Sequence, residues 1–452
     1  TESGTEVPLS SRRALGFEGS LLMNNLSVLL LFLSIIVTTF NRGFFSFPAL
    51  VIVLSILAIL VKLFLKSPKQ TFKIPLPFLQ LLFVVIYSLF MFFSGGIYQG
   101  DNLASLLIYF LPLVSFPLVL TYILDLRNFS SRVLKYRFYF LLLLALTVRI
   151  LIIIASPRPV IDVFTILKEA PLSFLSGQNP YDTVYSPVYP GVATDYYPYW
   201  PASFILQIPF VYIFGDPRIL LFLADILSAA GLFFLGRKNY LAQLLVLIYL
   251  FRPNSNFILE QSWTTPLPLF LIVLSIILWE KGKELLLGIV LGVMTALQPI
   301  YAILLPFYLI LVKRGQRTVL GFLSAVAIFV APFFLWNPGK FLDKTIFVYF
   351  KPASLVPTIP VHLSLNLSTA FYTFTGLDIP NLLSISFLFI IFIVIFYRLW
   401  MMKKQTADIN QVLLGITIFF YSFYLLFRQA FINYYYFASG LIILWLIKSI
   451  KK

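Results

Sequence analysis

Apolar residues recur along this chain in runs from Leu21 to Leu446, most of them about 15 to 23 residues long and without the strict alternation of a barrel strand. Such runs match the ~20 residues a helix needs to cross a bilayer, where the backbone must satisfy its own hydrogen bonds. The pattern predicts an all-α, polytopic transmembrane protein of about 13–15 helices. The first spans are read as Leu21–Phe40, Phe44–Leu65, Pro75–Phe93, Leu103–Leu124 and Phe138–Ala155; the last are 318–336, 382–400, 410–427 and 431–447.

Polar positions between the spans assign the two sides. Arg12 and Arg13, then Lys62, Lys66, Lys69 and Lys73, then Arg127, Arg132, Lys135 and Arg137 fall in every second loop. The alternate loops carry only Arg42 or Asp101. The bias of Lys and Arg toward the cytoplasmic side predicts an inside N-terminus and an outside loop at Pro157–Trp200. Lys313, Arg314 and Arg317, then Arg398, Lys403 and Lys404, then Lys448, Lys451 and Lys452 mark further inside positions. Asn337–Pro380 is then a second outside loop, and the C-terminus is inside. Six apolar pieces lie between Trp200 and Lys313, although this charge pattern requires an odd number of crossings there. Pro201–Gly215 (~22 Å as a helix) and Tyr240–Phe251 (~18 Å) are too short to span, and Leu285–Val312 (~42 Å) is one long helix or two pieces broken near Pro299.

Composition agrees with a membrane setting. The 452 residues are 60% hydrophobic and 11% charged, more apolar than a soluble core would bury. A net charge of +16 fits basic loops facing anionic lipid better than nucleic-acid binding, so the expected partners are membrane lipids. With no cysteine and a single histidine, disulfides, thiolate metal sites and a histidine-rich metal centre are excluded. Residues 1–20 read as a cytoplasmic tail, 21–137 as a four-helix extension and 138–452 as a transmembrane module with outer loops 156–200 and 337–381. The extension offers a surface for another membrane protein.

The loop Pro157–Trp200 carries Asp162, Glu169, Asp182 and Asp195 and ends in Tyr196-Tyr197-Pro198-Tyr199-Trp200-Pro201. Asp162 lies just past the Phe138–Ala155 span, where a partly desolvated carboxylate serves as a general base or as the cap of a short helix. Residues Val163–Ala170 read as an interfacial helix with Lys168 and Glu169 in water and Phe164 and Leu167 toward lipid. Arg149 and Asp225 fall deep within spans and are expected to form a buried structural pair.

Asp162-Val163-Phe164 through Ser176-Gly177-Gln178-Asn179-Pro180-Tyr181-Asp182, followed by the Tyr196–Pro201 run, resembles the first extracytoplasmic loop of GT-C glycosyltransferases. The resemblance is strongest to the polyprenol-phosphate-mannose-dependent mannosyltransferases. Fainter likenesses are Glu260-Gln261-Ser262-Trp263, Gln298-Pro299, His362–Ser368, and Arg428 with Asn433–Tyr436. Gln298 stands where relatives often have lysine, Tyr199 and Trp200 separate two prolines, and the first four helices have no counterpart in the core module. The resemblance implies a GT-C-like fold over 138–452 and an inverting hexosyl transfer on the outer face. The donor would be a polyprenyl-phosphate sugar, with mannose the first expectation, and the acceptor a lipid-linked glycan or a protein.

In that reading Asp162 is the base that deprotonates the acceptor hydroxyl. Donor-phosphate candidates are Arg428, His362 and Arg252, with Arg158 a further outward cation, and Tyr181, Tyr197, Gln261 and Asn366 are substrate-binding candidates. No metal ligand set is expected, and the chemistry needs no cofactor beyond the lipid-linked donor. A hydrolase using Asp182 or Asp195 as second carboxylate, a secondary transporter or flippase, and a non-catalytic GT-C-like subunit of a membrane assembly are the competing readings.

Overall fold

A computed structural model describes residues 26–65, 75–124, 131–237, 239–350, 361–403 and 408–450. The expected tail 1–20 and the cations Lys66, Lys69, Lys73, Arg127, Lys238, Lys404, Lys451 and Lys452 fall outside them. The described residues form helices, with two isolated bridges, Phe44 to Ser364 and Tyr185 to Thr194. In order, the helices begin with α1 (Leu26–Ile36), α2 (Phe47–Leu65), α3 (Leu76–Phe92), α4 (Leu103–Leu120) and α5 (Ser131–Ala155). Next come α6 (Asp162–Leu175), α7 (Ala202–Ile205), α8 (Ile208–Phe214), α9 (Arg218–Leu235), α10 (Tyr240–Leu250) and α11 (Ser255–Glu260). They continue with α12 (Pro266–Glu280), α13 (Glu284–Leu297), α14 (Leu304–Leu309), α15 (Gly315–Trp336) and α16 (Pro338–Thr345). The last four are α17 (Leu367–Thr375), α18 (Asn381–Lys403), α19 (Ile409–Leu426) and α20 (Ile432–Ser449).

Among the described residues, seven helices are long and apolar enough to cross a membrane, and seven shorter apolar helices accompany them. The fold is thus the all-helical, polytopic one expected. Asparagines start several helices by accepting an N–H of the first turn: Asn102 from Ser105 (3.0 Å), Asn239 from Ala242 (2.8 Å) and Asn337 from Lys340 (3.2 Å). The α8 helix stops at Gly215, whose φ of 69° lies in the left-handed region that glycine adopts without strain.

Chain reversals collect at two ends of the bundle. One end is tied by Gln80 and Arg137 on the Tyr240 hydroxyl (3.0 and 3.1 Å), Arg398 on the Leu65 carbonyl (2.6 Å), and Lys448 on Glu280. At the other, Gly100 N–H donates to Ala155 (2.9 Å), Trp200 N–H to Leu297 (3.1 Å) and Phe45 N–H to Leu363 (2.8 Å).

These ties resolve the segment between Trp200 and Lys313. Trp200 is fixed to the far end of α13, and Arg218 at the start of α9 reaches the carbonyls of Ser156 (2.8 Å) and Ile153 (3.3 Å) at the end of α5. Pro201–Gly215 therefore leaves and returns at one end, as a hairpin of α7 and α8 that does not traverse the bundle. The Leu285–Val312 run breaks at Gln298, which is extended (φ −154°, ψ 134°), and doubles back through a 3₁₀ turn into α14. Its two ends meet where Glu284 accepts the N–H groups of Lys313 and Arg314, both at 3.0 Å. Tyr240–Phe251 is half of a broken pass that α11 completes. Pro253 causes the break: it has no N–H for the Tyr249 carbonyl, which accepts instead from Arg252 Nε at 3.0 Å. Asn254 then turns the chain with φ 63°.

Two buried charged sites inside the bundle are well satisfied. Arg149 Nε meets Asp225 Oδ2 at 2.6 Å, the Tyr249 hydroxyl donates to the other carboxylate oxygen at 2.6 Å, and Arg149 also reaches the Ala145 (3.1 Å) and Leu250 (2.7 Å) carbonyls. The pair is the structural one expected. Glu260, wholly enclosed, accepts from the N–H groups of Ile97 (2.7 Å) and Tyr98 (3.0 Å), the Ser156 hydroxyl (2.5 Å) and the Gln261 amide (3.1 Å). Four short donors replace a countercation. Glu260 thereby docks the α3–α4 connection on the rest of the bundle, where α3 also packs on α10, α4 on α5 and α2 on α19.

Two stability predictions follow from these groups. A Cβ on Gly96 would stand 2.0 Å from the Glu260 carboxylate, so Gly96→Ala should destabilise the protein by about 1–3 kcal/mol, read as a lower unfolding temperature in detergent. Asp225→Asn strands a buried guanidinium, a change that costs about 3–5 kcal/mol, and should depress the same transition more than the loss of the peripheral Lys448–Glu280 pair. Equal transitions for Asp225→Asn and Lys448→Gln would contradict the buried role.

Candidate functional site

At the end where the two long loops lie, a cavity of about 550 Å³ opens between stretches far apart in sequence. Its wall includes Asp162 of α6, Tyr189, Asp195, Tyr196 and Tyr199 of the first loop, and Trp263 and Thr264 beyond α11. Gln298 at the α13 break, Asp343 and Lys344 of α16, and Asn433 and Tyr434 of α20 complete it.

Asp162 is held at the start of α6, after an extended Ile161 (φ −143°, ψ 138°). An aspartate there is favoured by the unpaired N–H groups and partial positive charge of a helix start. Its Oδ1 accepts Val163 N–H at 2.8 Å and lies 3.5 Å from the Tyr189 hydroxyl, while Tyr196 donates to Oδ2 at 2.5 Å. α6 is longer than expected and is not interfacial in the sense predicted. Phe164 and Leu167, assigned to lipid, are buried in the protein (7% and 0% exposed), and Glu169 accepts Ser186 N–H at 2.9 Å. α7 and α8 pack on α6, and the Arg218 guanidinium of α9 lies 5.1 Å from the centre of the Phe164 ring.

The turn after α6 is built by Asn179, whose Oδ1 accepts Tyr181 N–H at 3.0 Å in an Asx turn. Pro180 then presents its carbonyl to the Tyr185 hydroxyl (2.5 Å), and Tyr181 donates to the Tyr199 carbonyl (2.9 Å). The run Tyr196–Pro198 alternates as an extended chain does, and the chain bends at Tyr199, which also lines the cavity. Tyr196 and Pro198 face the cavity, whereas Tyr197 turns away, shares a 2.8 Å hydrogen bond with Ser203 and packs edge-on against Tyr181 at 5.8 Å.

Two phenols near Asp162, Tyr189 and Tyr98, stay protonated. Burial first, and the nearby Asp162 charge second, push Tyr189 up to about 12. Tyr98 is raised by burial, then by Glu260 and Asp162. Across the physiological range Tyr189 and Tyr98 therefore remain neutral, and the carboxylate faces O–H groups rather than phenolates.

Lys344 is the cation in the cavity wall, with Nζ 3.1 Å from Asp195 Oδ2. One turn earlier Lys340 meets Asp182 at 2.8 Å. The two pairs join α16, in the second loop, to the first loop. Among the described residues, no group of three or more His, Cys, Asp or Glu side chains is arranged to hold a metal ion.

Of the residues selected from sequence, Asp162 lines the cavity. Arg428 stands one residue from it, half-buried, with Nη1 3.3 Å from the carbonyl of Tyr349, itself a wall residue. Arg252 is enclosed in the bundle, donating to the Tyr436 carbonyl (2.6 Å) and the Ser439 hydroxyl (2.9 Å), its guanidinium 3.5 Å from the Tyr436 ring centre. His362 stacks on Tyr372 at 3.6 Å, with Nδ1 3.7 Å from Asp378, outside the wall. Gln261 is buried against Glu260, and Asn366 caps α17 through Thr369 N–H at 2.7 Å. Tyr181 and Tyr197 belong to the aromatic packing behind the wall, 1% and 0% exposed.

Sequence reasoning missed Tyr189, Tyr196 and Lys344 as a set around the two carboxylates. The available signal was local: Lys340 and Lys344, four residues apart, share one face of a helix, opposite a loop carrying Asp182 and Asp195. No protein-family model matches this chain, and no curated protein matches it.

Proposed function

We propose that the chain is a membrane glycosyltransferase that moves a hexose from a polyprenyl-phosphate donor to a hydroxyl acceptor. The observation that carries this reading is convergence. Asp162, Trp263, Gln298, Asn433 and Tyr434 each belong to or adjoin a stretch that resembles the GT-C family, and all five line one cavity.

In the proposed reaction the acceptor hydroxyl enters beside Asp162, which takes its proton as the oxygen attacks the anomeric carbon. The bond from that carbon to the phosphate oxygen breaks on the opposite face, so the centre inverts and the electron pair leaves on the lipid phosphate. Tyr196 and Tyr189 hold the carboxylate in place, which is the positioning that such a bimolecular step demands. Lys344 is the nearest candidate to receive the departing phosphate, with Arg428 behind the wall, and Trp263, Tyr199 and Tyr434 offer ring faces to the sugar. Mannose remains the first choice of sugar, on the resemblance alone, and the acceptor is a lipid-linked glycan or a protein. The cavity would face outward from a prokaryotic cell membrane, with both termini cytoplasmic. A transporter reading loses its main support, because Arg149 and Asp225 satisfy each other, Tyr249 and backbone carbonyls instead of lining a path.

Purified protein supplied with radiolabelled polyprenyl-phosphate mannose or glucose and a membrane acceptor extract should transfer label. Asp162→Asn should lower that rate by about 10²–10⁴-fold at unchanged expression and unfolding temperature. Identical behaviour of Asp162→Asn and wild type across several donors would remove the catalytic assignment and leave a non-catalytic GT-C-like subunit as the better account. Orientation is open to a direct check, because the chain has no cysteine of its own. A membrane-impermeant maleimide should label Asp182→Cys from outside intact cells, and Lys283→Cys only after lysis. The reverse pattern overturns the outward-facing site.

A further inference from the structure

At the end of the bundle away from the catalytic cavity, α13 and α15 start side by side. Three glycines let their backbones touch. A Cβ at Gly288 would stand 2.0 Å from the Thr318 carbonyl oxygen, one at Gly292 2.5 Å from that of Phe322, and one at Gly321 2.3 Å from that of Leu285. Both helices run from this end toward the catalytic one, so their first turns, with the partial positive charge of unpaired N–H groups, lie next to each other. A cavity of about 470 Å³ is set between these turns and is lined by Lys283, Lys313, Arg314 and Arg317.

All four cations are exposed. The one carboxylate in the lining, Glu284, is engaged in accepting the Lys313 and Arg314 N–H groups at 3.0 Å, which fixes the connection that carries the cations. Three other basic groups at this end are taken up by protein partners: Arg137 by the Thr121 carbonyl at 2.7 Å, Arg398 by that of Leu65 at 2.6 Å, and Lys448 by Glu280. Immediately along the same helices, Leu285, Leu286, Leu320 and Leu323 are 43%, 48%, 61% and 57% exposed. Four cations therefore meet a strip of leucines at the boundary of the apolar belt.

We propose that this cavity is a binding site for the headgroup of an anionic phospholipid, its phosphate among Lys283, Lys313, Arg314 and Arg317 and its chains along the exposed leucines. Basic pockets between helices at a membrane surface take such headgroups, and a fixed pocket does so more selectively than scattered loop charge. The leucine strip decides for a lipid over a free anion, since a soluble phosphate gains nothing from it. This inference does not depend on the glycosyltransferase reading.

The full chain in phosphatidylcholine nanodiscs, titrated with phosphatidylglycerol, tests it through unfolding temperature and lipid retention in native mass spectrometry. The expected result is saturable stabilisation and retained phosphatidylglycerol. Lys283→Gln/Arg317→Gln should weaken this about tenfold, whereas Lys135→Gln/Arg237→Gln, which removes the same charge elsewhere at this end, should leave it unchanged. The unfolding temperature in pure phosphatidylcholine reports whether each variant is folded; if the first pair fails to fold, Arg314→Gln alone carries the comparison. Equal weakening by both pairs would mean diffuse charge attraction, and equal stabilisation by inorganic phosphate would mean a free-anion site. Either result, or no difference between phosphatidylglycerol and phosphatidylcholine, overturns the proposal.

Discussion

Glu260 is a buried carboxylate with no cation among its described partners, and the arrangement of the cavity end depends on how it is satisfied. An ionised group removed from water needs several strong donors, and here they come from three separate parts of the chain: Ile97 and Tyr98, Ser156, and the adjacent Gln261. Two are backbone N–H groups, which a side chain at residue 96 would push away, so the absence of a side chain at Gly96 is part of the carboxylate's solvation. Ser156 is also where α5 ends and the first long loop departs. Gly100 fixes the same point through the Ala155 carbonyl, at 2.9 Å. Asp162 is six residues further on. The four-helix extension, which has no counterpart in the family resembled, is thus tied to the position from which the proposed base is presented.

The second constraint is the break at Pro253. A proline in mid-bundle leaves a carbonyl without its usual donor, and in an apolar interior no water replaces it. Arg252 supplies the donor for Tyr249, and Arg149 reaches the carbonyl of Leu250. Two arginines that look like functional charges in a sequence are here the repair of one broken helix, with Asp225 neutralising Arg149. Arg252 was a reasonable phosphate candidate from sequence because it closes an apolar run. Its enclosure follows from the proline beside it, a residue whose consequence for the carbonyl four positions back is visible in sequence once sought.

Helices and ends were legible for the same reason: long apolar runs have one structural outcome in lipid, and basic residues punctuate them on one side. Pro201–Gly215 was legible as too short to span and Leu285–Val312 as one helix or two pieces, but their paths were not, because these are set by contacts between distant residues, Trp200 with Leu297 and Glu284 with Lys313. The same distinction divides the site. Asp162 and the Asn179-Pro180-Tyr181 turn are local features and were read directly. Which tyrosines face the cavity depends on the phase of an extended run, so Tyr196 was passed over and Tyr197 chosen. Lys344 was missed because its relevance comes only from α16 lying against Asp195.

The cavity divides into a fixed and an exchangeable part, and the division bears on how a charged donor would enter. Asp162 is part-buried, fixed by a backbone N–H and by the hydroxyls of Tyr196 and Tyr189, the latter held neutral by burial and by the Asp162 charge. Lys344, by contrast, faces Asp195 at 3.1 Å across a pair whose carboxylate is 58% exposed. Pairs open to water on one side contribute little, about 0–1 kcal/mol, so an arriving phosphate would displace Asp195 from the lysine at small cost. The released Asp195 would remain in water, where its charge is well solvated. On the proposed reading the base is therefore preset before substrate arrives, while the phosphate contact forms by exchange, with α16 still anchored through the buried Phe341 and the Lys340–Asp182 pair. This accounts for a wall that carries three aspartates yet is proposed to accept an anion: the lysine in the wall is paired with Asp195, and the donor would complete the site by replacing that carboxylate with its own phosphate.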